Sequence, residues 1–118
     1  MEARKLKFRA YRKISEEMLE VFSFCDDFVK VKIKGQVLKY RRIEFEPLMQ
    51  FTGLLDSQGK EIYEGDIVSD NRKSLLINWD VRFNNGSFTF WNKDSQQQDV
   101  DTTCYEIIGN IYESTPKQ

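Results

Sequence analysis

The sequence predicts a mainly β protein with little helix: an N-terminal β-rich lobe over residues 1–50, followed by a small SH3-like β-barrel lobe over residues 51–118. Three observations lead there. No segment longer than about ten residues keeps a 3.6-residue apolar period. Short runs rich in Val, Ile, Phe and Tyr recur between turn signals. The stretch "LLINWDVRFNNGSFTFW", Leu75 to Trp91, reads as two strands about Asn85-Gly86, a pair suited to the positive φ angles of a two-residue type I′ turn.

Each element follows from its own pattern. Around Lys5 to Arg9 the chain alternates, with Leu6, Phe8 and Ala10 on one face and Lys5, Lys7 and Arg9 on the other, as in a half-buried strand. Ser15 opens a helix-like start that lacks a carboxylate three residues on and soon becomes Val21-Phe22-Ser23-Phe24, so a turn and a returning strand are expected. From Phe28 to Lys34, Val29, Val31 and Ile33 face inward and Lys30, Lys32 and Lys34 outward, with Phe28 off phase. Gly35-Gln36 then marks a hairpin into a strand from Val37 to Phe45, and Pro47, which has no N–H for a ladder, closes the lobe.

In the second lobe the Asn85-Gly86 turn sets a register that can be checked. Phe83 faces Phe88 and Val81 faces Phe90, with Ile77 and Trp79 continuing the apolar side, while Trp91 falls beside Asp80 on the other face with Arg82 and Thr89. Trp91 therefore either covers a second small cluster or contacts a partner. A polar loop from Lys93 to Thr103 leads to a last strand, Tyr105 to Tyr112, which Gly109 interrupts with a bulge or a close backbone approach.

Composition bounds the function. The chain has 118 residues, 40% of them apolar, sixteen of them aromatic and 31% charged, as expected of one globular unit in two lobes with a soluble surface. No apolar run reaches bilayer length, and the start is charged rather than secretory, so a cytoplasmic location and no membrane partner are expected. Cys25 and Cys104 lie far apart with no CxxC spacing, which favours two buried thiols over a disulfide or zinc site. There is no histidine, G-x-S-x-G, Walker loop or HExxH, so neither catalysis nor a cofactor is expected.

The stretch "QFTGLLDSQGKEIYEGDIV", Gln50 to Val68, concentrates glycines and carboxylates. Glu61, Glu64 and Asp66 suggest a cation or acid/base site, but the oxygen spacing of a calcium loop is missing and no neighbours split their pKa values. Turn punctuation is the better reading, with Gly59 in a tight connection and Gly65-Asp66 bending the chain into a core strand. Together "KLKFRAY", "LMQFTGL", "GKEIYEGDIV", "INWD" with "GSF", and "YEIIGNIYES" resemble the YopX-like family of small phage and prophage proteins, over nearly the whole chain. The resemblance implies a β-rich protein expressed inside a bacterium from a phage or prophage genome, with no established activity and no catalytic residues to carry over. Its shared positions Gly53, Gly59, Gly65, Asp66, Gly109 and Asn110 coincide with the turns and strand entries above. Where family members often show Trp-Asp, this chain has Tyr11-Arg12, which makes the first strand more positive.

Charge is uneven. Residues 1–50 hold twelve Lys/Arg against eight Asp/Glu and residues 51–118 six against eleven, net +4 and −5 in a chain of net −1. Two functional readings follow. The first is a non-enzymatic protein-interaction or self-assembling factor, in which the basic and acidic lobes attract between copies and Trp91 touches a partner. The alternative is a nucleic-acid binding module: Lys30, Lys32, Lys34, Lys39, Arg41 and Arg42 lie in a stretch without an acid, with Tyr40 among them for base stacking.

Overall fold

A computed structural model describes residues 6–70, 78–84, 87–92, 95–97 and 102–113. The chain divides into two units, residues 1–50 and 51–118, and among the described residues every strand pairing is antiparallel.

The first unit is a meander of β1 (Phe8–Arg12), β2 (Glu17–Phe24), β3 (Phe28–Ile33) and β4 (Gln36–Arg41), followed by a 3-10 turn, η1 (Arg42–Glu44), and the start of β5 (Met49–Leu55). Met49 and Gln50 pair with Arg9 and Phe8 on the free side of β1, giving the order β4-β3-β2-β1-β5. The alternation of β3 becomes a face: Val29 and Val31 are fully buried with Ala10, Leu19 and Phe45, while Lys30 and Lys32 point away. Ala10 is inward as the pattern requires, but Phe8 is only half-buried and Leu6, outside the strand, is exposed.

Two boundaries differ from the sequence expectation. The fourth strand stops at Arg41 instead of Phe45, because Glu44 folds back: one carboxylate oxygen accepts the Arg41 N–H at 3.2 Å and the other accepts two bonds from Arg12, at 3.1 and 2.7 Å. The Arg12 hydrogen bond outweighs desolvation and holds the Glu44 carboxyl below its usual range. Arg12, which makes the first strand more basic on paper, is thus matched by an acid. The hairpin turn is Lys34-Gly35 rather than Gly35-Gln36, since Ile33 pairs with Gln36. Both turn residues take positive φ, 49° and 78°, as a type I′ turn demands. Lysine is a poor occupant of that corner, whereas Asn reaches it readily. Lys34→Asn is therefore expected to raise stability by about 0.5–1 kcal/mol, read as a higher urea midpoint at unchanged slope.

In the second unit the rest of β5 pairs with β6 (Glu61–Tyr63), and β7 (Asp66–Asp70), β8 (Asn78–Asn84), β9 (Ser87–Asn92), β10 (Ser95–Gln97) and β11 (Tyr105–Asn110) form a sheet of order β10-β9-β8-β7-β11. The predicted hairpin register is found: Phe83 opposite Phe88, Val81 opposite Phe90 and Asp80 opposite Trp91. Its Asn85-Gly86 turn and Ile77 lie outside the described residues. The expected SH3-like barrel is not seen: among the described residues the strands form this open sheet and the β5–β6 ribbon, and their pairing does not close a ring. Ile62 of the ribbon joins Val68, Trp79, Val81, Phe90 and Tyr105 in one core, with Phe90 and Tyr105 edge to face at 5.2 Å. The expected loop from Lys93 to Thr103 contains β10 and the start of a 3-10 turn, η2 (Thr102–Cys104). The last strand ends at Asn110, whose side-chain oxygen accepts the N–H groups of Tyr112 and Glu113, and its ladder bulges between Ile107 and Gly109.

The glycine-rich stretch is punctuation, as its residue types imply. Gly53 (φ 88°) lies within the bulged β5–β6 pairing, and Gly59 (φ 78°) and Gly65 (φ 89°) turn the chain on either side of β6. Asp66 uses one carboxylate oxygen to accept the Tyr63 N–H at 2.8 Å, closing the turn into β7. Asp56, 5% exposed, holds the loop that follows it: Oδ1 accepts from Gln58 and Lys60 at 2.9 and 2.8 Å and Oδ2 from Ile107 of β11 at 3.0 Å. Ser57 N–H donates to Tyr105 O at 2.8 Å, so this loop occupies the side of β11 away from β7 and blunts that sheet edge.

Candidate nucleic-acid interface

Register decides which basic residues share a surface. Lys30 stands opposite Lys39 and Phe28 opposite Arg41, and alternation keeps Lys32 on the face of Lys30. Phe28, Lys30, Lys32, Lys39 and Arg41 thus lie together on the outer face of β3 and β4, and the four cations are exposed. Glu20 of β2, opposite Lys32, is the acid placed among them by register. A like-charge pair directly across a ladder is unfavourable by about 0.2–1 kcal/mol, so the Lys30–Lys39 pairing gives up a little stability to concentrate charge.

Two aromatics belong to this face that the sequence reading did not assign to it. In β2 the register shifts between Val21 and Ser23; the bulge leaves Phe22 unpaired and 56% exposed. Lys32 Nζ lies 5.4 Å from the Phe22 ring centroid and Lys39 Nζ 4.0 Å from that of Phe28, which is 37% exposed. The off-phase position of Phe28 was a usable signal: an aromatic in step with lysines sits on their face. Nothing in the local pattern announces the bulge at Phe22.

The other predicted contacts are elsewhere. Tyr40 is on the inner face, opposite Val29, with its ring under the Arg12 guanidinium at 4.1 Å and against Phe45 at 6.2 Å; alternation sends it away from its basic neighbours. Lys34 occupies the hairpin corner. Arg42 leaves the sheet in η1, donates to Cys25 O at 3.0 Å and lies 5.4 Å from the exposed Phe24 ring. Cys25, expected to be buried, is exposed in the turn between β2 and β3, where its N–H donates to Phe28 O; Cys104 is half-buried. In the second unit Trp91 is half-buried: its Nε1–H donates to the Thr89 hydroxyl, and Arg82, paired through two bonds with Asp80, covers the ring at 4.9 Å. Among the described residues no three of His, Cys, Asp and Glu gather where they could hold a metal ion, and no helix is long and apolar enough to cross a membrane.

Fold and face together define a small, mostly β protein with antiparallel sheets that carries a basic, aromatic-bearing sheet surface. The chain belongs to the YopX family, whose model, described as YopX protein, matches residues 7–117. Among solved structures it is similar to the crystal structure of protein EF1440 from Enterococcus faecalis, with a TM-score of 0.67 and 24% identity over 93% of this chain and 95% of that one. At that identity the likeness shows a shared fold. No curated protein matches the chain.

Proposed function

We propose that the protein is a non-enzymatic nucleic-acid-binding factor of a phage or prophage, working in the host cytoplasm through the outer face of β2, β3 and β4. The observation that carries this reading is the set of four exposed cations, Lys30, Lys32, Lys39 and Arg41, aligned by register on one face with Phe22 and Phe28 beside them. Cations supply phosphate contacts whatever the base sequence, and exposed rings supply stacking surfaces that every base fits. The local charge, rather than the net −1 of the chain, is what a polyanion meets.

The test is fluorescence anisotropy of labelled oligonucleotides against the purified chain at several salt concentrations. Four phosphate contacts predict a log–log slope of about −3 for a single strand and a loss of about 50-fold in affinity between about 50 and 200 mM salt. Absence of binding at low salt, or affinity that ignores salt, would falsify the proposal.

A second reading, self-assembly or docking of a protein strand, is favoured by one feature of the same unit. Among the described residues β4 ends the sheet order and its outer edge has no strand partner, with Val37 and Leu38 46% and 37% exposed beside it. Sedimentation of the chain alone separates the two: a stable multimer that withstands high salt supports the edge, and a monomer removes self-assembly.

A further inference from the structure

Resting on the nucleic-acid reading, we propose that the ligand is an unstacked single strand, with two neighbouring bases taken by Phe22 and Phe28 while Lys32 and Lys39 leave those rings for the flanking phosphates. Each ring on the outer face already carries an ammonium group, at 5.4 and 4.0 Å from its centroid. Both cations are exposed and on flexible stems, so each ring is covered by a group that can move aside. A base replaces the ammonium on the ring, and the freed charge meets phosphate instead of water; both partners of the old contact find stronger ones.

Spacing selects the strand's state. Phe28 lies two residues from Lys30 along β3, and Phe22 lies next to Ser23, which pairs with Lys30 on the adjacent strand. Two residues of strand rise from Phe28 to Lys30, the further step from Ser23 to Phe22 and one interstrand step place the two backbones about 10 Å apart. Stacked bases rise only about 3.4 Å, so the two rings can take neighbouring bases only from a strand whose bases are splayed. An open cleft of about 620 Å³ beside Phe22, lined on the outer face also by Glu20, Ser23 and Lys32, leaves room for the first base. In a duplex the base faces are occupied by one another and no ring on a sheet surface reaches them.

The experiment compares three labelled probes at about 50 mM salt: a short oligothymidylate, an abasic strand of the same length, and a duplex. The oligothymidylate is expected to bind at least about tenfold more tightly than the abasic strand. Phe22→Leu and Phe28→Leu, which keep an apolar side chain at exposed positions, should each weaken oligothymidylate binding about tenfold and leave abasic binding unchanged. Equal affinity for the thymidylate and abasic strands, preference for the duplex, or Leu variants that bind as wild type would overturn the stacking proposal and leave the phosphate-contact reading standing. Failure of all three probes to bind would remove both.

Discussion

Replacing Asp56 by Ala is expected to lower the unfolding free energy of the unit over residues 51–118 by about 3 kcal/mol, because three N–H groups lose one ionised acceptor together. The loss goes beyond a loop: Ile107 belongs to β11, so releasing the loop also uncovers the outer edge of that strand. Burial raises the Asp56 carboxyl, but the N–H groups of Ile107, Lys60 and Gln58 and the nearby Lys60 charge together outweigh it, and its pKa is held below the ordinary range. A carboxyl depressed by folding contributes stability that is complete above its unfolded value of about 3.9 and is lost as pH falls through the lower folded value. Urea unfolding of wild type and Asp56→Asn should therefore differ most near neutral pH and converge as pH drops below about 4. A difference that stays constant across that range would show that shape, not charge, fixes the loop.

The second large effect is on binding. Lys30→Glu combined with Arg41→Gln removes three of the four units of positive charge carried by Lys30, Lys32, Lys39 and Arg41, and should reduce oligonucleotide affinity about 100-fold or more at low salt and flatten the salt dependence. Stability should respond differently. Lys30→Glu alone converts the like-charge pairing with Lys39 into an attractive one and is expected to raise the unfolding free energy by about 0.5 kcal/mol. Anisotropy and urea denaturation on the same preparations check both. A single change that strengthens folding while weakening binding is the signature of charge arranged for a ligand. Unchanged affinity would return these lysines to the role of a solvated, edge-guarding face.

The sequence by itself determined the class of fold and much of its local detail. Alternation in Val29 to Ile33 was enough to assign the core face of β3, because a strand's period of two leaves no other choice once one side is apolar. The type I′ geometry expected at Asn85-Gly86 predicts the observed pairing of Phe83 with Phe88 and Val81 with Phe90. The aspartates and glycines of the central stretch were legible as turns, since their preferences are local. Tertiary structure alone decided what depends on residues distant in sequence. Strand Val37 to Phe45 broke at Arg41 because Glu44 found Arg12, thirty-two positions away. Asp56 became a structural carboxylate because β11 presents the Ile107 N–H to it. The candidate site lay in between: Lys30 and Lys32 share a face by local alternation, which also sends Tyr40 away from Lys39 and Arg41, but the alignment of the two lysines with Lys39 and Arg41 and the arrival of Phe22 through a bulge are matters of cross-strand register. A bulge shifts which side chains meet without changing the composition of either strand, so no local pattern could have placed Phe22 beside Lys32.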